Sequence, residues 1–150
     1  MFKRILVPVD GSETSTKALV AALELARNTD GRVRILHSLD ELTCISGIAY
    51  GVDLMRIARD QADKVLQDAL AVARSAGIPA DSRLLEAPGQ RLGEVVADEA
   101  QVWEADLIVV GTHGRRGVGR TLLGSGAEQV IRMAPVPVLS IRGNDETEPR

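Results

Sequence analysis

Apolar residues in this chain follow two alternating patterns. Short runs are apolar at almost every position, and longer segments repeat an apolar residue every three or four positions. Ile5-Leu6-Val7-Pro8-Val9 is the first run, and it stops at Asp10-Gly11-Ser12. A run apolar on both faces predicts a strand buried in a parallel sheet. From Glu13 to about residue 28, Ala18, Leu19, Ala22, Leu23, Leu25 and Ala26 mark one helix face, with Gly31 as the stop signal. Val33, Ile35 and Leu36 predict a second strand ending near His37-Ser38. Residues 39–52 carry no period, and Gly47 and Gly51 mark them as loop. The helical period returns from Asp53 to Ala76 and ends at Gly77 and Pro79. Ser82 to Glu86 reads as a short third strand, and Arg91 to Trp103 as a helix. Leu107-Ile108-Val109-Val110 is a fourth strand, Gly124 to Met133 a helix, and Val136 to Ile141 the last strand.

Strict alternation of five strands with four helices predicts a single doubly wound α/β domain. Its five-stranded parallel sheet carries helices on both faces in a Rossmann-like arrangement. The domain is expected over 1–142, with 143–150 as a polar C-terminal tail. Ligands of such sheets sit beyond the carboxyl ends of the strands, where strand order reverses. The loops after strands one, two and four are therefore the places for chemistry.

Composition removes several function classes. The 18 basic and 21 acidic residues give a net charge of −3, which is no footprint for nucleic acid. Aromatic residues are 2% of the chain, too few for base-stacking platforms. The one cysteine, Cys44, excludes an intramolecular disulfide and favours a reducing, cytoplasmic setting. No apolar run is long enough for a membrane span, and Met1 to Val7 does not read as a signal peptide.

Six of the 14 glycines fall within residues 111–126, directly after the fourth strand. Glycines there let backbone approach a ligand, and free N–H groups at a helix start attract anions. Arg115, Arg116 and Arg120 add positive charge, and no Asp or Glu occurs between Asp106 and Glu128. A solvated surface hairpin is the bland alternative. The segment around Gly114 to Thr121 nearly reads as a P-loop, but Arg120 replaces the lysine and no later strand ends in an aspartate to hold magnesium. The dinucleotide pattern also fails, because Leu122 stands at its last glycine position.

A different spacing fits. Gly111, two residues, Gly114, nine residues and Gly124-Ser125 resembles the nucleotide signature of the universal stress protein family, in its ATP-binding branch. Ile5 to Ser12, Leu36 to Ser38, Ala105 to Gly111 and Ala134 to Leu139 resemble other family segments, so the likeness spans nearly the whole chain. It implies the adenine-nucleotide α-hydrolase-like variant of the fold. It further implies that Pro8, Val9 and Asp10 hold adenine, together with backbone at Ser38. Gly111 would lie against the ribose. Gly114, Arg115, Gly124, Ser125 and Gly126 would surround the phosphates of ATP, with magnesium or manganese accompanying them. Two residues depart from the family pattern: Gly126 replaces a larger aliphatic residue, which would loosen the helix start, and Ser38 replaces valine.

Other polar residues carry less. Asp10 can equally cap a turn or the first helix, His37 reads as packed or capping, and His113 sits within the glycine loop. Ser12 and Ser125 have no nearby base, so no catalytic residue and no protein metal ligand is assigned. The reading is an ATP-binding stress-response or signalling module that acts on an unknown partner. The alternative is a slow ATP-hydrolysing or phosphate-transferring enzyme, for which Asp10 and Asp40 are the nearest carboxylates. The apolar last strand, Val136 to Ile141, predicts a homodimer through a sheet edge.

Overall fold

The structure, a computed structural model, describes residues 1–39, 52–112 and 123–143, with backbone only at Val52. Asp40, Cys44, His113, Gly114, Arg115, Arg116, Arg120 and the tail from 144 onward lie outside the described residues.

Five strands form one parallel sheet: β1 (Arg4–Pro8), β2 (Arg32–Ser38), β3 (Ala80–Leu85), β4 (Leu107–Gly111) and β5 (Val138–Ile141). Their order across the sheet is β3-β2-β1-β4-β5, which is the doubly wound architecture expected. Four helices complete it: α1 (Glu13–Thr29), α2 (Val52–Ala76), α3 (Leu92–Val102) and α4 (Ser125–Met133). β1 pairs with β2 from Arg4↔Arg32 to Pro8↔Leu36, and with β4 at Ile5↔Leu107 and Leu6↔Ile108. The chain winds outward from β1 through β2 to β3, then crosses back to β4 and β5. The reversal therefore lies between β1 and β4.

Each strand alternates its side chains between two cores. Ile5, Val7, Val33, Ile35 and Val109 meet Leu19 and Leu23 of α1 and Leu66 of α2 on one face. Leu6, Leu36, Ile108 and Val110 meet Val96 of α3, Val130 of α4 and Trp103 on the other. Full burial of each such Leu, Ile or Val contributes about 1.5–3 kcal/mol.

Element limits shift where local chemistry differs from pattern. β3 starts at Ala80, two residues before Ser82, because Val33 N–H bonds to the Pro79 carbonyl at 3.0 Å and opens the ladder there. β5 starts at Val138, since Pro137 has no N–H to continue it, although its carbonyl still accepts from Ile108 at 3.0 Å. The left-handed residue that ends α1 is Asp30, φ 55°, rather than Gly31. Gly31 is required for closeness instead: a Cβ there would lie 3.0 Å from the Lys3 carbonyl oxygen.

A charged cluster fastens the α3–α4 face away from the strand carboxyl ends. Arg34 donates to both Asp81 oxygens at 2.9 and 2.8 Å and to the buried Glu99 at 2.9 Å. Arg4 and Arg34 lie over the Trp103 ring, 4.5 and 4.8 Å from its centroid. Hydrogen bonds from Arg34 hold the Asp81 carboxyl below the usual carboxylate range. Sequence reading missed this cluster. Its signal was Glu99 standing within the apolar stripe of α3, together with an arginine inside a buried strand.

Candidate functional site

The carboxyl ends of β2, β1 and β4 lie side by side, bringing Ser38, Pro8 to Asp10, and Gly111 to one rim of the sheet. Backbone bonds fix that rim. Val9 N–H donates to the Leu36 carbonyl at 2.8 Å. His37 Nδ1 lies 2.6 Å from the Val9 carbonyl oxygen, so that nitrogen carries the proton and donates. His37 thus braces the exit of β1, the packed role its position predicts. Among the described residues, the Ser38 hydroxyl makes a long 3.4 Å contact to the Leu39 carbonyl.

Beyond Val9 the chain turns sharply into α1. Asp10 Oδ1 accepts from Ser12 N–H at 2.9 Å, and Gly11 takes φ 84°, the left-handed region that favours glycine. Ser12 caps α1 by accepting from Ser15 N–H at 3.2 Å. The Ser15 hydroxyl donates to the Ser12 carbonyl at 3.0 Å and accepts from Asp10 N–H at 3.3 Å. Asp10 therefore organises the turn that aims the α1 N-terminus at this rim.

At β4 the glycine has a packing reason. A Cβ on Gly111 would meet Thr14 Cγ2 at 2.8 Å and the Thr14 carbonyl carbon and oxygen at 3.0 Å. Gly111 lets the first turn of α1 lie directly against the strand end. The next residue, Thr112, joins two elements: its N–H donates to the Ile141 carbonyl at 2.9 Å, and its carbonyl accepts from Gly124 N–H at 2.6 Å. The second bond anchors the start of α4 beside Gly111. Gly124 is the α4 N-cap and has no side chain with which to cap it. The first internal bond of the helix is Glu128 N–H to the Gly124 carbonyl, 2.9 Å. The N–H groups of Ser125, Gly126 and Ala127 thus head the helix as donors for an acceptor from outside it. Glu128, the nearest carboxylate on the helix, is turned to Arg132 at 2.7 Å.

Gly126 does not loosen the helix start. α4 begins at Ser125, and the space a side chain would use at Gly126 is taken by Leu92, whose Cδ2 would be 2.9 Å from a Cβ there. Sequence reasoning also missed Gly93, where a Cβ would fall 2.7–2.8 Å from Gln129, so α3 and α4 touch backbone to backbone. Among the described residues no group of three or more His, Cys, Asp or Glu side chains could hold a metal ion, and no helix is long and apolar enough to cross a membrane.

A doubly wound α/β domain with backbone N–H donors of a helix start beside its reversal point has the architecture in which ligands bind beyond the strand carboxyl ends. The universal stress protein family model matches residues 1–142, and the chain belongs to that family. It is 32% identical over 144 residues to the universal stress protein MJ0531 of Methanocaldococcus jannaschii, covering 95% of this chain and 83% of that protein. The solved structure of hypothetical protein MJ0577 superposes with a TM-score of 0.84 at 26% identity, covering 97% of this chain and 99% of that one. The universal stress protein from Archaeoglobus fulgidus, solved in complex with dAMP, superposes with a TM-score of 0.72 at 29% identity, covering 94% of this chain and 99% of that one.

The two glycines beside the crevice should respond differently to alanine. Gly111→Ala forces α1 backbone to move and should lower stability by about 1–3 kcal/mol. Gly126→Ala meets only the end of a flexible leucine and gains helix propensity, so its change should stay within about 1 kcal/mol. Urea unfolding of the two variants checks this; equal losses would contradict the packing assigned to Gly111.

Proposed function

We propose that this protein binds ATP in the crevice between β1 and β4 and works as a nucleotide-dependent stress-response or signalling module. The observation that carries the reading is the α4 N-terminus. It is capped by a glycine, joined to β4 through Thr112, and preceded by a segment free of carboxylates from Leu107 to Ala127. Adenine would sit at the β1 and β2 ends, against Pro8, Val9, Asp10 and Ser38, with the ribose beside Gly111. The phosphates would meet Gly124, Ser125 and Gly126, with Gly114 and Arg115 from the intervening loop. The dAMP complex of the related Archaeoglobus protein supports an adenine nucleotide as the ligand class.

Magnesium, or manganese, would arrive bound to the triphosphate and neutralise part of its charge; the chain's own residues supply N–H donors and arginines. A fast phosphoryl transferase needs a positioned base or water-orienting group. Asp10 is engaged by its own turn, and this favours binding over turnover.

ATP with magnesium should bind, more weakly as salt rises. Gly124 has φ −61° and ψ 150°, a conformation any residue adopts, so Gly124→Val should fold normally. Its branched side chain should nonetheless reduce ATP affinity by about ten-fold or more, by holding phosphate away from the helix start. Isothermal titration checks this, and equal affinity in the two proteins would remove the phosphate assignment.

The module is also proposed to be a homodimer through β5. The two sheet edges differ: β3 carries Asp81 and Arg83, whereas β5 offers Val138, exposed Leu139 and Ser140, and Ile141 without a charge. Charged edges resist pairing, and an uncharged apolar edge invites it. Two-fold pairing of β5 with its copy runs antiparallel, and wild type should sediment at about twice the chain mass. Val138→Pro with Leu139→Lys should shift it to monomer; a wild type that stays monomeric at high micromolar concentration would overturn the dimer.

A further inference from the structure

Thr112 is 6% exposed, and its hydroxyl oxygen is fully buried without a hydrogen-bond partner among the described residues. No other described side-chain polar atom is in that state. A buried hydroxyl with no partner destabilises a fold, so an unpaired one at a ligand rim calls for an explanation. Its backbone is fully engaged, with N–H to Ile141 and carbonyl to Gly124. Strand alternation places the side chain opposite to that of Gly111, which faces α1. Alternation therefore puts the Thr112 side chain on the face of the sheet that carries α3 and α4, and its own carbonyl holds the Gly124 N–H at the start of α4. Three N–H donors of α4 and this hydroxyl belong to one short stretch of structure at the crevice.

We propose that Thr112 is a binding residue whose hydroxyl stays unpaired in the empty chain and donates to a phosphate oxygen once an anion seats on the α4 N-terminus. The inference rests on the phosphate placement proposed above. A hydroxyl suits this role, because its O–H rotates to the acceptor and the bond to a charged oxygen is stronger than one to a neutral group. The empty protein carries the unfavourable unpaired group, and ligand binding relieves it. Thr112 also connects that event to β5, since the same residue holds the Ile141 carbonyl.

This arrangement makes stability and affinity respond in opposite directions. Thr112→Val keeps the shape and removes the hydroxyl. The ligand-free variant should melt at or above wild type, by up to about 5 °C, and should bind ATP with magnesium about ten-fold or more weakly. Thr112→Ser keeps the hydroxyl and should stay within about three-fold of wild-type affinity. Titration calorimetry and thermal melts of the three proteins test this. Wild-type binding with unchanged affinity in Thr112→Val would overturn the role of Thr112 and leave the phosphate placement standing. A ligand-free Thr112→Val that melts several degrees lower would also overturn it, by showing that the hydroxyl is bonded within the chain. No binding by wild type would instead remove the phosphate placement, and this inference with it.

Discussion

β1 is paired on both sides with strands that belong to opposite halves of the winding. With β1 fixed between β2 and β4, α1 and α2 must cover one face and α3 and α4 the other. The chains leaving β1 and β4 then diverge, and a crevice opens between them at the carboxyl rim. Both helix starts that face this rim follow from the same arrangement. α1 reaches it through the turn at Asp10 and Gly11, and α4 through the bond from Gly124 to Thr112. At this rim the close approach is at Gly111, where α1 touches the β4 end with no room for a side chain.

The two ends of the sheet are held by different chemistry. Toward the amino ends, long charged side chains do the joining: Arg34 spans Asp81 and Glu99, and Arg4 donates to the Trp103 carbonyl at 2.8 Å while covering its ring. At the carboxyl ends of β1, β2 and β4 the joining groups among the described residues are backbone, short hydroxyls and the His37 ring, while beyond β3 Arg59 of α2 pairs with Glu86. Buried ion pairs fix geometry but fill space and neutralise one another. Backbone and small residues leave N–H groups and room, which is what an anionic ligand needs. The charged cluster around Arg34 thus stiffens the end of the sheet opposite the proposed ligand rim.

Much of this was legible in the sequence, for reasons visible in particular residues. β1 and β4 stand in the sheet interior, so Ile5 to Val9 and Leu107 to Val110 read as unbroken apolar runs. β3 is an edge strand carrying Asp81 and Arg83, and its start was placed two residues late. Winding order pointed to the loops after β1, β2 and β4, and the family resemblance picked out Asp10, Ser38, Gly111 and Gly124 within and beside them. The reason for Gly111 was not legible: the sequence offered close approach of a ligand, and the structure adds close approach of α1. The partnership of Arg34 with Glu99 joins residues 65 apart, and its local signatures, an acid in an apolar stripe and an arginine inside a buried strand, do not say that the two meet. The unpaired Thr112 hydroxyl is a missing bond, which only coordinates can reveal.

Placement of the ligand at the β1–β4 reversal is the claim on which the functional account turns. Amide chemical-shift mapping during titration with ATP and magnesium tests it most directly. The account predicts shifts concentrated at Val9 and Asp10, at Ser38 and Leu39, at Gly111 and Thr112, and from Gly124 to Ala127. Shifts concentrated instead in the groove between β3 and α3, lined by Leu85, Gln90, Val95 and Val102, would contradict it.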